Sequence, residues 1–150
     1  MGLDMFFYAS RPGATMKQAV ERERELNELD WDEWMAVRES DEYPILGMGY
    51  LRKANQVFNW IDREVGDIED CEPLPMSESD VRRLKGAAVE VIAMPWRAAK
   101  LLPTTAGFFF GSQEYDDGYF ADLRETSSIC SKILDEVDFD DQDVWFYAWW

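Results

Sequence analysis

The chain closes on VWFYAWW (144–150), a run with five aromatic rings and no charged side chain. Chain ends fray unless something ties them down, so rings this dense must be packed into the fold or used for binding. Seven such residues read as a strand. The other end, GLDMFFYAS (2–10), is also short and aromatic-rich, and Arg11-Pro12-Gly13 stops it. It reads as a second strand. Both runs are apolar on both faces, as strands covered by helices are. The expectation is one sheet containing Gly2–Tyr8 and Val144–Trp150, which can lie side by side. The rest of the chain must then supply cover.

That cover is predicted to be helical. Thr15 with Gln18 three residues on forms a capping box. The helix behind it is mostly charged, with Met16, Val20, Leu26 and Leu29 as a weak stripe, so it belongs on the outside. Trp31, Trp34 and Met35 follow at i, i+3, i+4 and suggest a second short helix. Residues 50–65, YLRKANQVFNWIDREV, give the best amphipathic pattern. There Tyr50, Leu51, Ala54, Val57, Phe58, Ile61 and Val65 share one arc of about 120°, and Gly66 is a natural stop. Pro73 and Pro75 mark an extended passage. Ser77 and Asp80 cap a further helix carrying Val81, Leu84, Ala88, Val91 and Ile92, which Pro95 ends. A last helix runs from about Asp116 to Val137. With 150 residues, 47% of them hydrophobic, the chain suits one domain with a real core. The predicted class is α+β: a single acidic domain spanning 1–150, its small sheet holding both terminal strands against about four helices.

Composition removes whole classes of chemistry. There is no histidine, which excludes Ser-His-Asp and Cys-His nucleophiles, HExxH zinc proteases and zinc deaminases. Thirty-one acids against fifteen bases leave a net charge of −16. Such a field repels nucleic acid and anionic membrane and attracts basic surfaces. The acids concentrate in 1–49, 67–80 and 104–150, while only 50–66 and 81–103 carry an excess of base. Cys71 and Cys130 are too few for a disulfide framework or a four-thiolate zinc site, and buried free thiols are expected. No apolar run is long enough for a membrane span, and no basic segment opens a signal peptide. A cytoplasmic location is expected.

Several residue groups are candidates for function. Glu114, Asp116, Asp117 and Asp122 crowd the start of the last helix, where capping and the helix dipole favour anions. Asp138, Asp140, Asp141 and Asp143 look like the start of a calcium loop. Yet Asp143 occupies the position that needs glycine, and Trp149 the one that needs glutamate. A solvated acidic turn between helix and strand is the better reading, so no metal and no cofactor are expected. These eight acids form the candidate partner-binding face. Phe109, Trp149 and Trp150 are the candidates for an apolar interface. Arg52, Asn55 and Thr104 are the alternative ligand site, with Glu114 beside them. Within GFFFGSQEYDD (107–117), Phe108 and Phe110 would share one face of a buried strand or extended loop, while Phe109 points the other way.

Three blocks, MGLDMFF (1–7), YLRKANQVFNW (50–60) and LLPTTAGFFFGSQEYDDGYFADL (101–123), follow a pattern written MGLDM…YWRKAN.I..W…LPT..GFFFGS..YD…L. In them the chain resembles a family of small bacteriophage and prophage proteins with no established activity. The blocks cover about a quarter of the chain. Leu51 stands where that family usually has Trp, and Phe58 where His is frequent. The resemblance implies origin rather than catalysis: a small intracellular accessory protein of a phage, a class that often inhibits host defence. The leading expectation is therefore a non-enzymatic acidic protein that blocks a host defence complex, such as a CRISPR effector or another nuclease, by occupying a basic nucleic-acid-binding surface. It would not bind nucleic acid itself. One alternative is a carboxylate- or Mg-dependent enzyme acting on a small metabolite or nucleotide. Another is a phage assembly or regulatory protein.

Overall fold

The two apolar ends pair with each other. In the computed structural model, which describes residues 2–107 and 110–150, β1 (Asp4–Ser10) runs antiparallel to β4 (Val144–Trp149). Met5 lies opposite Ala148, and Phe7 opposite Phe146. Between them come α1 (Met16–Leu26), α2 (Trp31–Arg38), β2 (Ile45–Arg52), α3 (Asn55–Glu64), β3 (Leu74–Met76), α4 (Glu78–Ala93), a 3₁₀ turn (Pro95–Arg97), α5 (Ala98–Leu101) and α6 (Asp117–Glu136). The four antiparallel strands are ordered β2-β1-β4-β3. This is an α+β domain with six helices among the described residues where about four were expected; α5, beyond Pro95, had no periodic signal of its own.

Residues 50–65 need a correction. Tyr50 and Leu51 belong to β2, opposite Phe6 and Met5, and the helix starts only at Asn55. The helical arc extended too far because the strand delivers Leu51 into the same core that Ala54, Val57 and Ile61 enter from the helix. Tyr50 lies on the other side of the sheet and is 46% exposed.

Strand alternation separates two faces. Leu3, Met5, Phe7 and Ala9 share one face with Val144, Phe146 and Ala148, all buried in a cluster with Val57, Ile61, Leu84 and Ile133 from α3, α4 and α6. On the other face, α1 and α2 cover only part of the sheet. Ala19 and Leu26 pack with Trp145, and Tyr8 and Tyr147 lie half-buried at the edge of this second cluster. Beyond them Phe6 contacts Tyr50 and Tyr147, with ring centres 5.1 and 6.4 Å apart. The expectation of helices over both faces therefore holds for one face and only in part for the other.

Close packing at β2 makes a testable point. A Cβ placed on Gly49 would come within 2.7 Å of the Ile129 Cγ1, Cδ1 and Cγ2 atoms of α6. Gly49→Ala is expected to lower stability by about 1–3 kcal/mol, the usual penalty for overpacking. Adding Ile129→Val should recover part of that loss in urea melts.

The capping boxes formed as their spacing predicts. Thr15 and Gln18 exchange hydrogen bonds at the start of α1, and Ser77 and Asp80 do so at α4. Desolvation acts to raise the Asp80 carboxyl, but hydrogen bonds from Ser77 and Arg83, with the Arg83 charge, outweigh it and hold the group below its ordinary value. A lowered folded-state value stabilises the fold above the unfolded value, about 3.9, and that contribution disappears as pH falls through the folded value. Asp80→Asn should thus lower the melting temperature at neutral pH, with the gap to wild type closing on acidification.

Candidate functional site

The β2–α3 turn organises the most structured part of the surface. Arg52 ends β2, and Lys53 follows in the left-handed region at φ 55°, its N–H donating to the Leu3 carbonyl at 2.7 Å. No side chain caps α3 at Ala54. Asn55, only 1% exposed, instead turns its amide onto the 103–113 loop. Its Nδ2 donates to the carbonyls of Phe110 (3.1 Å) and Ser112 (2.8 Å), and its Oδ1 accepts from Thr105 N–H at 3.0 Å. One turn later Asn59 donates to the Pro103 carbonyl at 3.1 Å. Gln56 Nε2 reaches the Tyr119 carbonyl of α6 at 3.2 Å. The polar stripe of the core helix thus fastens the loop and α6 to α3.

The GFFFGSQEYDD segment is a loop where described up to Asp116, with no strand, and Asp117 begins α6. Phe110 packs on Phe58, ring centres 4.8 Å apart, and Trp150 meets both rings edge-on at 5.8 and 5.4 Å. Gly111 has φ +86°, and a Cβ there would stand 2.9 Å from Lys53 Cβ, so glycine permits both the turn and the close approach. Phe108 and Phe109, and the expectations attached to them, lie outside the described residues.

A cleft of about 220 Å³ opens between this turn and the start of α6. Arg52, Lys53, Gln56, Ser112, Glu114, Asp116 and Asp122 are among its lining residues. Parts of the three blocks 1–7, 50–60 and 101–123 meet at or beside it: Gly2 and Leu3, the Arg52–Gln56 turn, and Gly111–Asp122. The structure therefore brings together Arg52, Glu114, Asp116 and Asp122. Asn55 and Thr104 do not line it and instead fasten the neighbouring loop: both Asn55 amide protons are committed to the loop backbone, and Thr104 Oγ1 donates to the Gln113 carbonyl at 3.0 Å. Desolvation, then the Asp116 charge, push the half-buried Asp122 carboxyl up against an opposing hydrogen bond from Gln56. Lys53 and Gln56 are the residues that sequence reasoning missed. Their only signal was proximity to Arg52 and Asn55.

The eight acids of the expected partner face do not lie together. One group sits at the start of α6 and the other beyond its end. Only the part of α6 after Asp122, fourteen helical residues (123–136), separates them, about 21 Å at 1.5 Å per residue. Asp116 caps α6 through Tyr119 N–H at 3.0 Å. Asp138–Asp143 forms a turn, as expected: Asp138 Oδ1 accepts from Asp140 N–H at 3.0 Å, and buried Gln142 donates to the Ser10 carbonyl at 2.8 Å. Asp143 Oδ2 accepts from Met16 N–H at 2.7 Å, which joins this turn to the start of α1. Among the described residues no three acidic or cysteine side chains converge as a cation site requires.

Of the apolar candidates, Trp149 is 42% exposed, while Trp150 lies over Phe58 and Phe110. Trp31 is 71% exposed and stacks on Trp34. Only one of the two thiols meets the expectation of burial. Cys130 is buried, which pushes it up to about 12, whereas Cys71 is exposed in a loop. No helix among the described residues is long and apolar enough to cross a membrane. Comparison with protein-family models, with curated proteins and with solved structures returned no match.

Proposed function

We propose that this chain is a non-catalytic, phage-type binding protein that inhibits a host defence complex by occupying a basic, nucleic-acid-handling surface. One observation carries the reading. None of the eight carboxylates at 114–122 and 138–143 takes part in an ion pair among the described residues. Ion pairing is used elsewhere in the fold, as between Arg82 and Glu78 or Arg83 and Asp80. The turn at 138–143 is the better-suited contact. Its acids are exposed, fixed by Gln142 and Asp138, and continuous with α1 through Asp143. A rigid acidic turn offers a basic channel what a phosphate run offers it, without ordering cost on binding.

Affinity capture from lysate of an infected-type host tests this. A nucleoprotein or nuclease complex is expected on the wild-type chain and is expected to be lost from a variant carrying Asp138→Asn, Asp140→Asn and Asp141→Asn. Asparagine keeps the local turn hydrogen bonds and removes the charge. Binding should also weaken steeply between 0.1 and 1 M salt, where the Debye length falls from about 10 to 3 Å. Equal capture by the triple variant, unaffected by salt, would shift the interface to Trp149 or the Trp31–Trp34 pair.

A further inference from the structure

The cleft between the β2–α3 turn and α6 contains charge that the fold does not use. Arg52 and Lys53 are both exposed, and neither joins an ion pair among the described residues. Lys53 is also held in position. Its backbone adopts φ 55°, the left-handed region that residues with a side chain seldom enter. Its side chain passes between two glycines: a Cβ on Gly111 would stand 2.9 Å from Lys53 Cβ, and one on Gly2 would stand 2.9 Å from Lys53 Cε. Two positions free of side chains thus make room for one lysine.

Glu114, Asp116 and Asp122 line the same cleft. Asp116 has one oxygen committed to the Tyr119 N–H, while Asp122 is half-buried against Gln56. A simple anion would meet three carboxylates here, and a simple cation would meet Arg52 and Lys53. A molecule carrying both charges a few bonds apart satisfies both sets with charge-assisted hydrogen bonds. The volume of about 220 Å³ is below the range of about 300–1,000 Å³ usual for drug-sized ligands, which limits the occupant to something small.

We propose that this cleft binds a free α-amino acid, its carboxylate at Arg52 and Lys53 and its ammonium group at Asp122 and Glu114. The site is independent of the acidic turn at 138–143, and either assignment can fail without the other.

Calorimetric titration of the full chain with a panel of free L-amino acids tests the proposal, with acetate, methylamine and inorganic phosphate as single-charge controls. Saturable binding of at least one amino acid at millimolar concentration is expected, with none of the controls matching it. Arg52→Ala, Lys53→Met and Asp122→Asn should each weaken binding about tenfold or more, which is about 1.4 kcal/mol. Thermal melts identify any variant that fails to fold, and Lys53→Met then stands for the basic wall. Absence of amino-acid binding would overturn the proposal. So would phosphate or acetate binding as tightly, which would mark an oxyanion site only, or amino-acid binding unchanged in folded variants, which would put the site elsewhere.

Discussion

Removal of Trp145–Trp150 will leave a chain that does not fold cooperatively. β4 is an interior strand, paired with β1 on one side and β3 on the other. Its loss strips both neighbours of hydrogen bonds and takes Trp145, Phe146 and Ala148 out of the core, all of them buried. Truncating one large aromatic in a core costs about 3–5 kcal/mol. Losing Trp145 and Phe146 together therefore approaches or exceeds the whole stability of an ordinary domain, about 5–15 kcal/mol. Phe146→Ala is the graded form of the experiment: it should stay folded while losing about 3–5 kcal/mol in urea titration. A truncated chain that still melts cooperatively would mean that β4 is not an interior strand.

Asn55→Ala is expected to produce the largest effect of any polar substitution. It removes two donated bonds and one accepted bond, and their partners at Thr105, Phe110 and Ser112 lie more than fifty residues away or nearly so. A buried group left without a partner costs about 1–3 kcal/mol. Water reaching the loosened loop recovers part of this, so a loss of about 3 kcal/mol is expected. The damage should be local as well as global: amide exchange across 103–113 should accelerate more than in the β1–β4 pair. Asn55→Asp keeps the acceptor for Thr105 but sets a carboxylate against two carbonyl oxygens, so it should be no better. A change below about 0.5 kcal/mol, the range of a neutral surface substitution, would show that Asn55 does not fasten the loop.

These two cases mark where the sequence was readable and where it was not. The terminal strands announced themselves because aromatic runs at chain ends have few other fates. Thr15, Ser77 and Asp116 gave helix starts because capping is a local exchange over three residues. β2 escaped notice because Gly47 and Gly49 break its apolar run, and Gly49 is needed where Ile129 of α6 presses on the strand. Asn55 was visible only as one member of a polar stripe, since its partners are set by the tertiary fold. The eight acids fall into two groups for a related reason. Glu114–Asp122 and Asp138–Asp143 lie on either side of residues 123–136 of α6, about 21 Å of helix.

The position of Arg52 and Lys53 also bears on partner choice. They put positive charge beside the acids at the start of α6, so the turn at 138–143 is left as the less compensated of the two groups. The basic residues of 81–103 do not reverse the field of a chain with net charge −16. The isolated protein is accordingly expected to leave bare duplex DNA unbound at physiological salt.

Displacement of labelled target DNA from purified defence effectors, followed by fluorescence anisotropy, is the most direct measurement of the proposed inhibitory role. The wild-type chain should release DNA from at least one effector without binding DNA itself. The variant carrying Asp138→Asn, Asp140→Asn and Asp141→Asn should release much less. Equal release by the triple variant, or direct binding of the DNA by the wild-type chain, would contradict occupation of a basic channel by the acidic turn.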